Sequence, residues 1–144
     1  ISSTGDPELD ARLPFDEPYF IPATTAALIA DTKASGGRII GVGTTVVRAL
    51  EHAADGGGQV IAGPGLATGR IGPDTKLDVV DAIVSGLHES GSSHYELLRA
   101  FQDDDALQAM TEQADAVGYR AHEFGDAVFI SRATAELKAM RATA

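Results

Sequence analysis

Gly36 to Glu51, GGRIIGVGTTVVRALE, reads as a short apolar strand, a glycine-threonine turn and the first turns of a helix. Ile39, Ile40 and Val42 follow the Gly36-Gly37 break as a continuous apolar run, the pattern of a strand covered on both faces in a parallel sheet. Gly41 and Gly43 leave room for another backbone or a ligand to come close. Thr44 or Thr45 is expected to cap the helix, whose first N–H groups and positive dipole end would face whatever lies above the strand. Such a place favours an anion or a polarised oxygen. The same punctuation also joins strands to helices with no ligand present. Neither the Gly-Lys-Ser/Thr of a Walker loop nor the third glycine of a dinucleotide fingerprint is there.

Outward from this stretch, the chain alternates strand and helix signals. On the N-terminal side, Tyr19-Phe20-Ile21 is a short strand candidate, and Pro22 opens a helix with Ala26, Ile29, Ala30 and Lys33 on one face. Residues 1–16 carry glycine, proline and acids without periodicity and read as a loop or arm. On the C-terminal side, Val47, Leu50 and Ala54 continue one apolar helix face, with Arg48 and Glu51 on its flank. Val60-Ile61 is a strand candidate, and the glycines and prolines of 63–76 predict a long loop. Leu77 to Leu87 is apolar throughout, and its period does not separate strand from helix. Ser93-x-x-Glu96 has the spacing of a capping box, and Asp103 to Asp105 opens a helix with Leu107, Met110, Ala114 and Val117 inward and Gly118 as its stop. Gly125-Asp126 predicts a tight hairpin turn between 119–124 and 127–131. These elements predict an α/β three-layer sandwich with a mainly parallel sheet and a C-terminal hairpin, formed by residues 17–132 and followed by an alanine-rich tail, 133–144. In such a sheet, ligands gather beyond the carboxyl ends of the strands, where Gly43-Thr44-Thr45 would lie.

Composition narrows the chemistry. A length of 144 residues, 44% of them hydrophobic, suits one core. There is no cysteine, which removes disulfides and thiolate catalysis. No run has the length of a membrane span and the N-terminus lacks a signal-peptide pattern, so a soluble, cytoplasmic protein is expected. The formal net charge of −10 argues against broad binding of a polyanion by this chain alone. The abrupt start without methionine suggests part of a longer protein.

His52, His88, His94 and His122 form no H-E-x-x-H and no close pair, so no metal is expected. His94 falls on the Leu97/Leu98/Phe101 face and reads as a core or boundary residue. His88 ends the apolar run just before a polar loop, where an imidazole can orient a substrate or move a proton. A loop histidine without chemistry stays open as the alternative. No G-x-S-x-G nucleophile motif occurs and no carboxylate pair stands out.

Four segments occur in a recognisable order. They are Glu17-x-Tyr19-x-Ile21-Pro22-x-x-Thr25-Ala26; GGRIIGVGTTVVRALE; Val80-Asp81-Ala82-Ile83 leading to His88 and Ala100-Phe101; and Tyr119-Arg120 with Phe124-Gly125-Asp126-Ala127. Over roughly residues 17–131 the chain resembles the C-terminal part of the S-adenosylmethionine:tRNA ribosyltransferase-isomerases of queuosine synthesis. The resemblance implies transfer and isomerisation of the ribosyl moiety of S-adenosylmethionine onto 7-aminomethyl-7-deazaguanine in tRNA, giving epoxyqueuosine with release of adenine and methionine. It also implies a missing β-barrel domain and contact with tRNA through the full-length protein.

Carried across, Gly43, Thr44, Thr45 and Arg48 match the family's G-T-T-x-x-R and would bind S-adenosylmethionine as substrate. His88 and Asp126 match its T-N-F-H and Y-G-D-A and would serve catalysis, His88 for proton traffic and Asp126 beside a cation. Where the family reads T-N-F-H-L-P-x-S-T-L, this chain has Ser85-Gly86-Leu87-His88-Glu89-Ser90-Gly91-Ser92-Ser93-His94. A second reading from a different class is a non-catalytic α/β module that keeps the fold and a small-molecule site.

Overall fold

Apolar residues in the quoted stretch and in the run after Leu77 pair as parallel strands. The computed structural model describes residues 5–10, 12–88, 90–120 and 125–132. In chain order the elements are α1 (Pro7–Asp10), β1 (Glu17–Ile21), α2 (Ala23–Ala34), β2 (Ile40–Val42), α3 (Thr44–His52), β3 (Gly63–Ala67), β4 (Ala82–Gly86), α4 (Ser93–Leu98), α5 (Asp104–Ala116) and β5 (Ala127–Ser131).

The main sheet has the order β2-β4-β5. Strand β2 runs parallel to β4, with Gly41 opposite Ile83, and β5 runs antiparallel to β4, with Ile130 opposite Ile83. The ambiguous run after Leu77 therefore ends in the central strand, consistent with its β-branched Val79, Val80, Ile83 and Val84. The α/β class is the expected one, and the sheet is mixed, with one parallel and one antiparallel pair. Strand β2 is not interior, however. It lies at the sheet edge among the described residues, with Ile40 46% and Val42 68% exposed.

Strand β5 supplies the antiparallel edge, but its partner is β4 rather than the preceding segment. Tyr119 and Arg120 are not in a strand, and 121–124, with His122, lie outside the described residues, as do 133–144. Arg120 and Asp126 are joined directly. Asp126 N–H donates to Arg120 C=O (3.1 Å), and Arg120 N–H donates to Asp126 Oδ2 (3.0 Å).

The expected loop at 63–76 begins with a strand. Gly63–Ala67 pairs antiparallel with β1, making a separate two-stranded ribbon. Each strand of such a ribbon has one open edge, so Pro18 and Pro64 can turn their missing N–H groups outward. Val60 makes only an isolated bridge to Ala54.

Helix placement follows the apolar faces with three adjustments. In α2, Ile29 is buried and Lys33 Nζ crosses to the carbonyls of Asp78 (2.5 Å) and Gly58 (3.3 Å). In α4 the cap is Ser92, whose Oγ accepts from Tyr95 N–H at 3.1 Å, one residue before the expected Ser93; Tyr95 then takes the place a box gives to Glu or Gln, so the expected box is lost and Glu96 instead pairs with Arg99 at 2.9 Å. In α5, Asp103 caps as expected and Leu107 is buried, but Val117 at the C-terminal end is 67% exposed. The third adjustment is at α3, described below. The core joins Val47 and Leu50 of α3 to Val79, Val80 and Ile83, and continues to Leu98 and Leu107. No helix among the described residues is long and apolar enough to cross a membrane.

Candidate functional site

Helix α3 starts at Thr44, directly after Gly43, which occupies the N-cap position with φ +91° and ψ 150°. This backbone favours glycine, and it places both threonines inside the helix rather than at its cap. Neither Thr44 nor Thr45 caps. Thr45 Oγ1 donates instead to Glu17 Oε1 at 3.2 Å, and Gly43 N–H donates to Val84 C=O at 2.8 Å, fixing the turn to the end of β4. Among the described residues no side chain caps the first turn of α3, so its N–H groups and positive dipole end face outward at the carboxyl end of β2.

A cleft of about 190 Å3 opens there. Glu17, Thr44 and Arg48 line one side, Ser93 and His94 another, and Phe15, Ile71 and Leu97 add apolar surface. Arg48 is 5% exposed. Its Nη1 donates to Phe15 C=O (3.0 Å) and Glu17 Oε2 (2.7 Å), and its Nη2 donates to the carbonyls of Ala67 (3.1 Å) and Gly69 (3.2 Å). The guanidinium thus ties the arm, β1 and the end of β3 to α3, forming a cleft wall rather than a free anion hook. Glu51, expected beside Arg48 on the helix flank, turns the other way. Its carboxylate accepts from the N–H groups of Asp78 (2.8 Å), Val79 (3.1 Å) and Val80 (2.7 Å), holding the segment that leads into β4.

His88 lies just beyond β4. Its Nε2 is 2.9 Å from Ser85 Oγ, and its ring is tilted 58° against that of His94 with centroids 4.6 Å apart. Burial, and secondarily the neighbouring His94, push the His88 pKa down to about 4, so the ring is neutral near neutral pH. His94 therefore stands between His88 and the cleft it lines. Asp126 reaches the same end of the sheet through its backbone, whose C=O accepts from Leu87 N–H at 3.2 Å, while its side chain accepts from Arg120 N–H. Thr44 and Arg48 thus line one cleft, with Gly43 at the N-cap just before Thr44, His88 behind His94, Thr45 turned to Glu17 and Asp126 one strand away.

A family model described as "Queuosine biosynthesis protein" matches residues 7–130. The chain belongs to that family. It is 41% identical over 123 residues to the S-adenosylmethionine:tRNA ribosyltransferase-isomerase of Thiobacillus denitrificans, covering 85% of this chain and 36% of the relative. The Deinococcus radiodurans protein of the same name is 40% identical over 118 residues, covering 82% of this chain and 32% of the relative. Among solved structures, the S-adenosylmethionine tRNA ribosyltransferase of Thermotoga maritima superposes with a TM-score of 0.68 at 31% identity, covering 78% of this chain and 40% of that one. The chain spans about a third of the length of the curated relatives it matches.

For this member of the queuosine family, Glu17, Ser93 and His94 are cleft residues to which sequence reasoning gave no site role. Glu17 stood inside a recognisable segment, but its meeting with Arg48 and Thr45 spans three elements. No local spacing announces such a contact. His94 carries an apolar-face signal that is correct for one side of α4 and silent about the cleft on the other.

Proposed function

We propose that the chain is the α/β part of an S-adenosylmethionine:tRNA ribosyltransferase-isomerase, in which the ribosyl moiety of S-adenosylmethionine is transferred and isomerised onto 7-aminomethyl-7-deazaguanine in tRNA. The product is epoxyqueuosine, and adenine and methionine leave. Chemistry on tRNA places the protein in the cytoplasm. The observation that carries this reading is the cleft at the uncapped α3 start, in a chain 41% identical to an enzyme of that name.

In this reading the N–H groups at Thr44 and Thr45, exposed by the turn that Gly43 makes, receive the carboxylate of the methionine moiety, since a helix N-terminus stabilises an anion without a bound counter-ion. Arg48 holds the wall and adds positive field. His88, neutral near neutral pH, accepts a proton during isomerisation, with His94 as its contact to the cleft. Asp126, at the neighbouring strand end, supplies negative charge toward the sulfonium. tRNA is held through the full-length protein, because a chain of net charge −10 is poorly suited to bind a phosphate backbone by itself.

Calorimetric titration with S-adenosylmethionine tests the site, and adenine release in the presence of precursor tRNA tests the reaction. The isolated chain is expected to bind S-adenosylmethionine, to bind it more weakly as Gly43→Ala, and to release no adenine without the rest of the enzyme. A chain that is folded by circular dichroism but has no affinity for S-adenosylmethionine overturns the assignment of the cleft.

A further inference from the structure

Two serines stand at the start of α4, and the fold treats them differently. Ser92 Oγ accepts from Tyr95 N–H at 3.1 Å and caps the helix. Ser93 is then the first helical residue, and its hydroxyl is released from capping. Its Oγ is buried and makes no hydrogen bond to any described residue. A buried hydroxyl without a partner is costly, and folded chains leave few of them unless something else supplies the bond. Ser93 also lines the cleft that Glu17, Thr44 and Arg48 line on another side. The walls differ in what they offer. Charge gathers at Glu17, Arg48 and the uncapped α3 start, so the charged ends of a ligand belong there. The α4 wall contributes Ser93, His94 and Leu97. Leu97 is apolar, and the His94 ring is engaged with His88 at a centroid distance of 4.6 Å. Ser93 is therefore the small neutral hydrogen-bonding group of this wall. A hydroxyl both donates and accepts, and the ligand group that matches it in both respects is another hydroxyl.

We propose that Ser93 is a ribose-binding residue, whose Oγ forms a hydrogen bond with one hydroxyl of the S-adenosylmethionine ribose. The inference rests on the ribosyl-transfer reading and deepens it by placing the sugar against α4. A single side-chain torsion carries Oγ, so turning it toward the cleft disturbs neither the Ser92 cap nor the helix. With the methionine carboxylate at the α3 start and the ribose at Ser93, the sugar lies beside His94. His94 is in ring contact with His88, so the carbons to be isomerised sit next to the imidazole pair. Phe15, Ile71 and Leu97 remain as apolar surface for the adenine ring. The hydroxyl left unpaired in the free chain thus finds its partner in the complex, which offsets the cost of burying it.

The test is calorimetric titration of the chain, as wild type and as Ser93→Ala, with S-adenosylmethionine and with its 2′-deoxy and 3′-deoxy analogues. Ser93→Ala should weaken binding of S-adenosylmethionine by about fivefold, the loss of one neutral hydrogen bond. One of the two deoxy analogues should bind wild type more weakly by a similar factor and be indifferent to the substitution, because the group that Ser93 holds is gone from it. Urea denaturation gives the readout that a structural role would move. The midpoint of Ser93→Ala should hold or rise, since the hydroxyl has no partner in the free chain and alanine suits a helix, whereas Ser92→Ala should lower it by loss of the cap. Circular dichroism confirms that each variant is folded. Unchanged affinity of Ser93→Ala for S-adenosylmethionine, or equal weakening of all three ligands, overturns the ribose assignment and leaves the cleft assignment standing. A midpoint that falls with Ser93→Ala overturns it too, in favour of a structural hydroxyl. No binding of S-adenosylmethionine by the wild-type chain overturns both.

Discussion

Arg48 concentrates more of the tertiary structure than any other side chain at the cleft, because one guanidinium serves four oxygens from the arm, β1 and the segment around the end of β3. Its partner Glu17 is partly exposed at 37%, which moderates the ion pair, but the Ala67 carbonyl would be left buried without this donor. Arg48→Ala is expected to cost about 2–4 kcal/mol in urea denaturation, and Arg48→Lys to recover little, since an ammonium cannot reproduce the planar fork. A loss below about 0.5 kcal/mol, the range of an ordinary surface substitution, would contradict this role. His88 gives a pH signature. Its folded pKa, about 4, lies below the unfolded 6.5, so the folded state binds fewer protons between these values. Stability present above the unfolded pKa is therefore lost as pH falls from 6.5 toward about 4. The ring is partly exposed, and solvent screening reduces the loss to about 1–2 kcal/mol. Urea midpoints of wild type and His88→Gln should converge as the medium is acidified, and parallel pH profiles would exclude the effect.

At the scale of elements, the β2-α3 junction is made by two glycines with different jobs. Gly41 matters for space, since a Cβ would meet Val47 Cγ2 at 2.8 Å and Val80 Cγ1 at 3.5 Å. Gly43 matters for conformation, with φ +91° and no atom within 4 Å of a Cβ. Gly41→Ala is expected to cost about 1–3 kcal/mol through overpacking, and Val47→Ala in the same chain to recover part of it. Gly43→Ala is expected to cost about 1–2 kcal/mol through backbone strain, with no such recovery. A double-mutant cycle with Val47→Ala separates them: coupling at Gly41 and additivity at Gly43.

Across the whole molecule, two sheets of unequal standing share one core. The ribbon of β1 and β3 is tied to α3 through Arg48, through Thr45 to Glu17 and through Tyr19 against His52, whereas β4 is paired on both sides and carries Ala82 and Ile83 fully buried. Native-state hydrogen exchange should therefore find the slowest amides in β4, with β1 and β3 opening at lower free energy, and Arg48→Ala should widen the gap. Equal protection of ribbon and central strand would show that the two sheets open as one unit.

Some of this protein was legible along the chain because it depends on neighbours in sequence. Gly36-Gly37 ends α2, Asp103 caps α5, the strand-turn-helix at 40–52 forms, and the ordered family segments place the chain among queuosine biosynthesis proteins. Local pattern also set the α/β class, since periods of two and of about 3.6 alternate along it. What the tertiary structure decided lies where one local pattern fits two outcomes. Adjacent serines at 92 and 93 compete for one cap, and the backbone entering α4 selects Ser92. Gly63–Ala67 has loop composition, but β1 offers it a partner. Arg48 and Glu51 have the spacing of a helix-surface pair, yet each finds backbone groups far along the chain that need a donor or an acceptor. Side-chain period reports which face is apolar; which distant group needs a hydrogen bond is decided only when the chain has closed on itself.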